Sequence, residues 1–396
     1  MSFIDAVADS ALASAGFFWK AGWAFVMGYW ISAMIQVFVP RQRLYDQLGS
    51  DSAWSVPLAT LYGALSSSCS FAALAAARTL IAKGATIVAG VAFMFASTNL
   101  VIELGVLILI FLGWPYLLAE LLGGVVLIVI SSLLLRVSLS DAVADRMRER
   151  AEESAPDEQE SFDWRRRLVT LDGWQRVGHR FVMEWRMVWE EIAIGFTVAG
   201  LMAALVPDRF WQVLFLAEGG AEAGRTLWTT LENALVAPFV AAATFIGSMG
   251  NIPLATVLAG SGVAFAGVMA FIYSDLMVPP LVRVNAKYYG WRGALQIAGV
   301  MYVSIVATAL LASGVLALTG LEVESSRTME ETSRFAIDYT FYLNLAFALV
   351  GLALIVLHRR HTDGGTDSQG GLGVKRVVVF ACLAWVAAGL LAAAVR

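Results

Sequence analysis

The charges of this chain gather in a few segments and leave long apolar runs between them, most near the ~20 residues a helix needs to cross a bilayer. Backbone crossing hydrocarbon must satisfy its own hydrogen bonds, so such runs fold as helices. Hydrophobic residues make up 59% of the chain and charged residues 15%. With a mean hydropathy of +0.72 this excludes an ordinary soluble domain. The expected fold is all-α and polytopic, with about ten transmembrane helices at roughly 17–39, 53–82, 86–111, 114–135, 187–206, 231–258, 263–282, 293–318, 338–357 and 376–395. The stretch 53–82 is too long for one straight span at ~1.5 Å per residue.

Small polar clusters interrupt these runs, and they recur in the two halves. Ser66-Ser67-Ser68-Cys69-Ser70 is followed by Lys83-Gly84 and then Ala96-Ser97-Thr98-Asn99. Gly247-Ser248-Met249-Gly250-Asn251-Ile252-Pro253 is followed by Ser261-Gly262 and then Tyr273-Ser274-Asp275. A loosened backbone persists at membrane depth only where it lines a cavity or a site. Matched, interrupted segments in two halves point to a transporter's substrate site. Ser68, Cys69, Ser70, Ser97, Thr98, Asn99, Gly250, Asn251, Pro253 and Ser274 are therefore the expected substrate-binding residues. Ionisable groups at this depth are costly and mark function, so Glu103 and Asp275 are the expected proton-coupling pair. Glu103 follows Asn99 by four residues, which would set both on one helix face. Asn99 and Asn251 could offer carbonyls to a cation or cap half-helices.

The chain divides into a first repeat (1–135), a charged loop (136–186), a second repeat (187–320) and additional helices with a Gly-rich linker (321–396). The loop is rich in Arg and is placed in the cytoplasm. Its part from Trp164 to Trp189 reads as an amphipathic helix on the membrane face. Four full crossings before the loop would make the repeats parallel and put 207–230 and 283–292 outside; a re-entrant segment in either half would invert them. Lys20, Glu120, Glu190 and Glu191 fall near span ends, where long side chains snorkel to the interface. Trp114, Tyr116, Tyr288, Tyr289 and Trp291 fit an interfacial aromatic belt. Residues 1–16 carry no Lys or Arg, so the first run reads as a helix and not as a signal peptide.

Other chemistries lack their signatures. There is no Walker-type Gly-Lys-Ser/Thr, and Gly260-Ser-Gly262 reads as a hairpin turn. His179, His358 and His361 fall in polar stretches without metal-ligand spacing. No enzyme activity, cofactor or metal is expected, and a net charge of −4 argues against nucleic acid. The expected partners are the lipid bilayer and a small solute, with a homo-oligomer or accessory subunit left open.

Several strings resemble a known family. Ser66-Ser-Ser-Cys-Ser70 with Phe95-Ala-Ser-Thr-Asn-Leu-Val-Ile-Glu-Leu-Gly105 is similar to the first half of the predicted bacterial permeases that include the organoarsenical efflux permease. Gly250-Asn-Ile-Pro-Leu-Ala255, Ala270-Phe-Ile-Tyr-Ser-Asp-Leu276 and Lys287-Tyr-Tyr-Gly-Trp-Arg292 are similar to the second. Many members carry Cys-Ser-Cys-Ser and a nearby proline at the first break. Here Ser67 holds the first cysteine position, Cys69 the second and Ala73 that of the proline, so a two-thiolate arsenic site is not expected. The resemblance implies a multi-pass permease of the bacterial inner membrane that exports a trivalent organoarsenical or another soft metalloid or metal species. Cys69 would be its soft sulfur ligand. A passive channel, or a non-transporting subunit or sensor, is the alternative.

Overall fold

The computed structural model describes residues 3–38, 54–66, 70–153, 168–215, 227–244, 247–319, 339–361 and 374–395, and all regular structure among them is helical. One group of helices is built on α1 (Phe3–Phe38) and α8 (Leu171–Leu205), which run antiparallel. Phe38 meets Trp174 edge-on at 5.6 Å and Tyr29 meets Trp185 at 5.8 Å, while Gly200 sits against Ser10 and Ser14. A methyl on Gly200 would lie 2.6 Å from the Ser10 carbonyl oxygen, so the backbones nearly touch there. Small residues permit this, and dispersion drives helix association where water exclusion is absent. The helices α14 (Tyr339–His361) and α15 (Val374–Val395) pack on both. Asn344 Nδ2 donates to the Trp19 carbonyl at 2.8 Å, and Trp385 Nε1 to Ser10 Oγ at 3.0 Å.

Two expectations change here. The amphipathic stretch is the first half of α8, packed along α1 instead of lying on the membrane face, because its apolar face finds α1 aromatics; Trp164 itself is outside the described residues. His179 and His358 stand on α8 and α14, with their Nδ1 atoms 3.3 Å apart.

The other group carries the breaks. Helices α2 (Ser55–Ser66) and α3 (Ser70–Ala82) both pack on α4 (Ile87–Asn99), whose start is capped by Thr86 Oγ1 accepting from the Ala89 N–H. Gly63 abuts the Phe93 carbonyl and Gly90 abuts Ile81, so α2 lies beside α4 and does not continue along the next helix. At Leu100–Val101 the chain bends by 42° into α5 (Ile102–Phe111). Gly113 then turns it, at a φ of 94° that favours glycine, into α6 (Trp114–Ser138), followed by the charged α7 (Asp141–Glu153).

After α9 (Asp208–Leu214), the same sequence of events recurs. Helices α10 (Leu227–Thr244) and α11 (Ser248–Gly260) both pack on α12 (Phe265–Tyr273). A 3-10 turn over Asp275–Met277 leads into α13 (Pro279–Thr319), which kinks at Gly290 with a φ of 77°. The Gly260–Gly262 cluster is the turn between α11 and α12, as expected. Helices α6 and α13 are antiparallel: Gly123 faces Thr308, and Gln296 Nε2 donates to the Ser138 carbonyl at 2.7 Å.

Helix α7 seats Met147 against Gly293 and Arg150 against Gly290, and also packs on α3. Arg78 of α3 stands 4.6 Å over the Tyr288 ring. Segment 283–292 therefore lies at the same end of the molecule as the start of the charged loop, which corrects its placement on the opposite face. The basic Arg283, Lys287 and Arg292 thus share an end of the molecule with the arginines of α7.

Among the described residues, five helices are long and apolar enough to cross a membrane singly, in α1, α6, α8, α13 and α14, and the bent α4–α5 pair makes a sixth when counted as one span. Several of the other expected runs are split by the breaks into helices of 9 to 13 residues. Outward faces are apolar: Leu118, Leu122, Val125 and Val129 on α6 and Leu345, Leu349 and Leu352 on α14 are exposed at helical spacing, as a lipid-facing surface requires. Trp114 and Trp291 are exposed and fit an aromatic belt, whereas Tyr116 and Tyr289 are buried, the Tyr116 ring lying 4.9 Å from that of Phe265 at a tilt of 45°.

Candidate functional site

The breaks fall where polar residues interrupt apolar sequence, but a few positions from where the pattern alone sets them. Helix α4 runs through Ser97, Thr98 and Asn99, and its side chains bond back to their own turn. Ser97 Oγ donates to the Met94 carbonyl at 3.1 Å, Thr98 Oγ1 to those of Met94 and Phe95 at 3.2 Å, and Asn99 Nδ2 to that of Phe95 at 3.1 Å. The unwound residues are Leu100 and Val101. Asn99 and Glu103 consequently belong to different helices and share no face. In the second half Gly247 is extended, and α11 runs through Gly250, Asn251 and Pro253, all buried. Ser274 ends α12 with its hydroxyl bonded to the Ala270 carbonyl. Neither asparagine caps a helix start: Asn99 Oδ1 and both polar atoms of Asn251 are buried without a partner. Ser68 and Cys69 lie outside the described residues.

The two halves meet at these breaks. Ser70 Oγ, at the start of α3, donates to Asp275 Oδ2 across a long 3.5 Å bond. Asp275 is 1% exposed, and its other oxygen is unpartnered. Helix α11 packs on α5 and touches the Asp275–Met277 turn. The N-cap residues of α5 and α11, Val101 and Gly247, supply no side-chain cap, and Glu191 lies against the start of α11, where the positive end of the helix dipole favours a carboxylate.

Glu103 and Asp275 are both buried but have different neighbours. Glu103 packs on Gly28 of α1 and lies within electrostatic range of Glu184. Glu184 accepts from Ser32 Oγ at 2.9 Å and from Gln36 Nε2. Asp275 instead neighbours Glu120 of α6. Glu120 is a correction: it is fully buried, with both carboxyl oxygens unpartnered, and does not reach the interface. Its helix start is itself covered, since Tyr116 is tucked against Phe265, so proximity to a span end gives no exit to water. Lys20, Glu190 and Glu191 are half-buried, and Glu191 lies against Gly247 at the second break.

Pattern reading thus missed Glu120 and Glu184 as residues of the interior. The available signal was Glu120-Leu-Leu-Gly123-Gly124, an acid on the same face as two glycines against which other helices close. Tyr273 closes on Gly123, its hydroxyl donating to the Ala119 carbonyl at 2.7 Å, and Leu100 closes on Gly124.

Comparison with known proteins agrees with this architecture. The profile of a family described as a predicted permease matches residues 11–314. A Mycobacterium tuberculosis protein that carries the name permease Rv2963 is 37% identical over 339 residues, covering 83% of this chain and 81% of that relative. No solved structure matches the chain.

Proposed function

The chain belongs to the predicted permease family, and on that premise we propose that it is a proton-coupled secondary exporter of a small solute, its site set where the helix breaks of two inverted repeats meet. The observation that carries this is the contact of Ser70 with Asp275, one from each set of breaks, 205 residues apart in sequence.

Repetition is supported by the four glycines of positive φ among the described residues. Gly84 and Gly113 flank the first bent crossing, and Gly262 and Gly290 flank the second, at nearly equal spacing. A tryptophan follows Gly113 and another follows Gly290. Inversion is supported by the antiparallel pairing of counterparts, α1 with α8 and α6 with α13, as a two-fold axis in the membrane plane would produce. In this arrangement α2–α3 and α10–α11 are re-entrant hairpins entering from opposite faces, and the two bent segments cross between them. That parity lets the loop after α7, the segment 283–292 and the turn at Gly84 all face the cytoplasm.

The solute we assign is a trivalent organoarsenical or another soft metalloid or metal species, on the strength of the family resemblance and of Cys69 in the first break. Ser70, Asn99, Asn251 and Ser274 would offer it polar contacts, with Glu103 and Asp275 carrying protons in a bacterial inner membrane. Reconstituting the protein in liposomes and measuring flux of a trivalent methylarsenical with and without an imposed pH gradient tests the proposal. Gradient-dependent accumulation that is lost in Asp275→Asn is the expected result. Equal flux with and without the gradient would make it a passive pore, and no flux of any soft metalloid would remove the assigned solute class.

A further inference from the structure

We infer that Glu120 and Asp275 form one proton-binding acid pair at the crossing of the two halves, so that Glu120, and not Glu103, is the titrating partner of Asp275. The inference rests on the permease reading for its purpose but not for its chemistry. Both carboxyls are at most 1% exposed, and they lie within electrostatic range of each other. Among the described residues, no Lys, Arg or His makes an ion pair with either. Among the described residues Asp275 is held by Ser70 Oγ and by the backbone N–H of Leu276, and one of its oxygens is unpartnered. Glu120 has no hydrogen-bond partner among the described residues.

A buried charge is tolerated only when paired or hydrogen-bonded. Two neighbouring carboxylates without a cation satisfy neither condition, and a proton is the smallest ligand that relieves both the repulsion and the missing donor. The surroundings point the same way. Thr308 Oγ1 and Asn99 Oδ1, each about 98% buried or more, are also unpartnered. They stand at Gly123 and Gly124, on the same stretch of α6 as Glu120. Further titratable groups on the elements packed around the pair are engaged elsewhere: Tyr273 with the Ala119 carbonyl, Glu232 with Asn233, Glu103 with α1, and Arg78 over the ring of Tyr288, whose neighbour Tyr289 is buried on α13. Arg136, Arg283, Lys287 and Arg292 make no ion pair with either acid among the described residues. The pair also bridges the halves, since Glu120 comes from α6 and Asp275 from the turn before α13. A proton held there is held by both halves at once.

The full chain in lipid, titrated by infrared difference spectroscopy without any solute, tests this. An acid pair titrates in two separated steps that belong to the pair. In Glu120→Gln one protonated-carboxyl band should vanish, and the band remaining from Asp275 should move its midpoint by about one pH unit or more. Asp275→Asn should do the same to the Glu120 band, while Glu103→Gln should leave both in place. If a variant does not fold, the carboxyl-retaining Glu120→Asp and Asp275→Glu exchanges replace it and should displace both steps together. Midpoints that stay fixed when the partner is removed, or displacement by Glu103→Gln instead, would overturn the pair. Because no transport is measured, failure here leaves the permease proposal intact, and failed flux leaves this one intact.

Discussion

Replacing Gly200 by alanine probes a close backbone approach between α1 and α8. The added methyl would lie 2.6 Å from the Ser10 carbonyl oxygen and 2.7 Å from the Ser14 nitrogen, both backbone atoms. Ordinary carbon contacts begin near 3.4 Å, so α1 and α8 must part by about 0.8 Å. Overpacking of this kind costs about 1–3 kcal/mol, because neighbouring side chains lose contact as the helices separate. Losses would include the edge-on packing of Phe25 on Phe196 at 5.7 Å, one turn away. Equilibrium unfolding of Gly200→Ala in mixed micelles should show this loss. Adding Ser14→Ala, which removes only the hydroxyl, should recover little of it, since the backbone clash stays. A cost within about 0.5 kcal/mol, the range of an ordinary surface substitution, would refute the close antiparallel pairing of α1 with α8. Full recovery by Ser14→Ala would place the clash on the side chain alone and refute the backbone contact.

Two further outcomes are expected. In a cysteine-depleted background, single cysteines at Trp54 and Gly84 should react with a membrane-impermeant thiol reagent from the cytoplasmic side, and one at Gly262 from the other; opposite-side labelling of Trp54 and Gly84 would sink the re-entrant hairpin. Cys69→Ser keeps shape and hydrogen bonding but removes the soft sulfur, so it should abolish resistance of cells to trivalent organoarsenicals at unchanged protein level, and undiminished resistance would make Cys69 a packing residue.

Much of this architecture is written plainly in the chain. Long apolar runs between charged segments specify helices at membrane depth, and the clusters at 66–70 and 247–253 announce where they break. What the pattern leaves out depends on partners distant in sequence. Nothing local tells that Asn99 and Glu103 are separated by a bend, because Leu100 and Val101 are as apolar as their neighbours. Glu120 resembles an interfacial acid until Phe265, 145 positions later, covers the helix start beside it. The choice between parallel and inverted halves likewise turns on α1 lying antiparallel to α8. Only the contacts of α2 with α4 indicate that the first broken run doubles back.

The pairing of counterpart helices head to tail has a consequence for motion. Two halves related by such a dyad need not be identical in shape, and where one hairpin sits closer to its bent neighbour than the other does, the chain can exchange the two shapes. The exchanged molecule has the same contacts in kind, distributed the other way across the bilayer. On the proposed inverted-repeat reading, outward and inward access would be two wells of one landscape, near in energy because the same types of interface are made in each. The unlike residues of the halves, such as Lys83 against Ser261, set the bias between them.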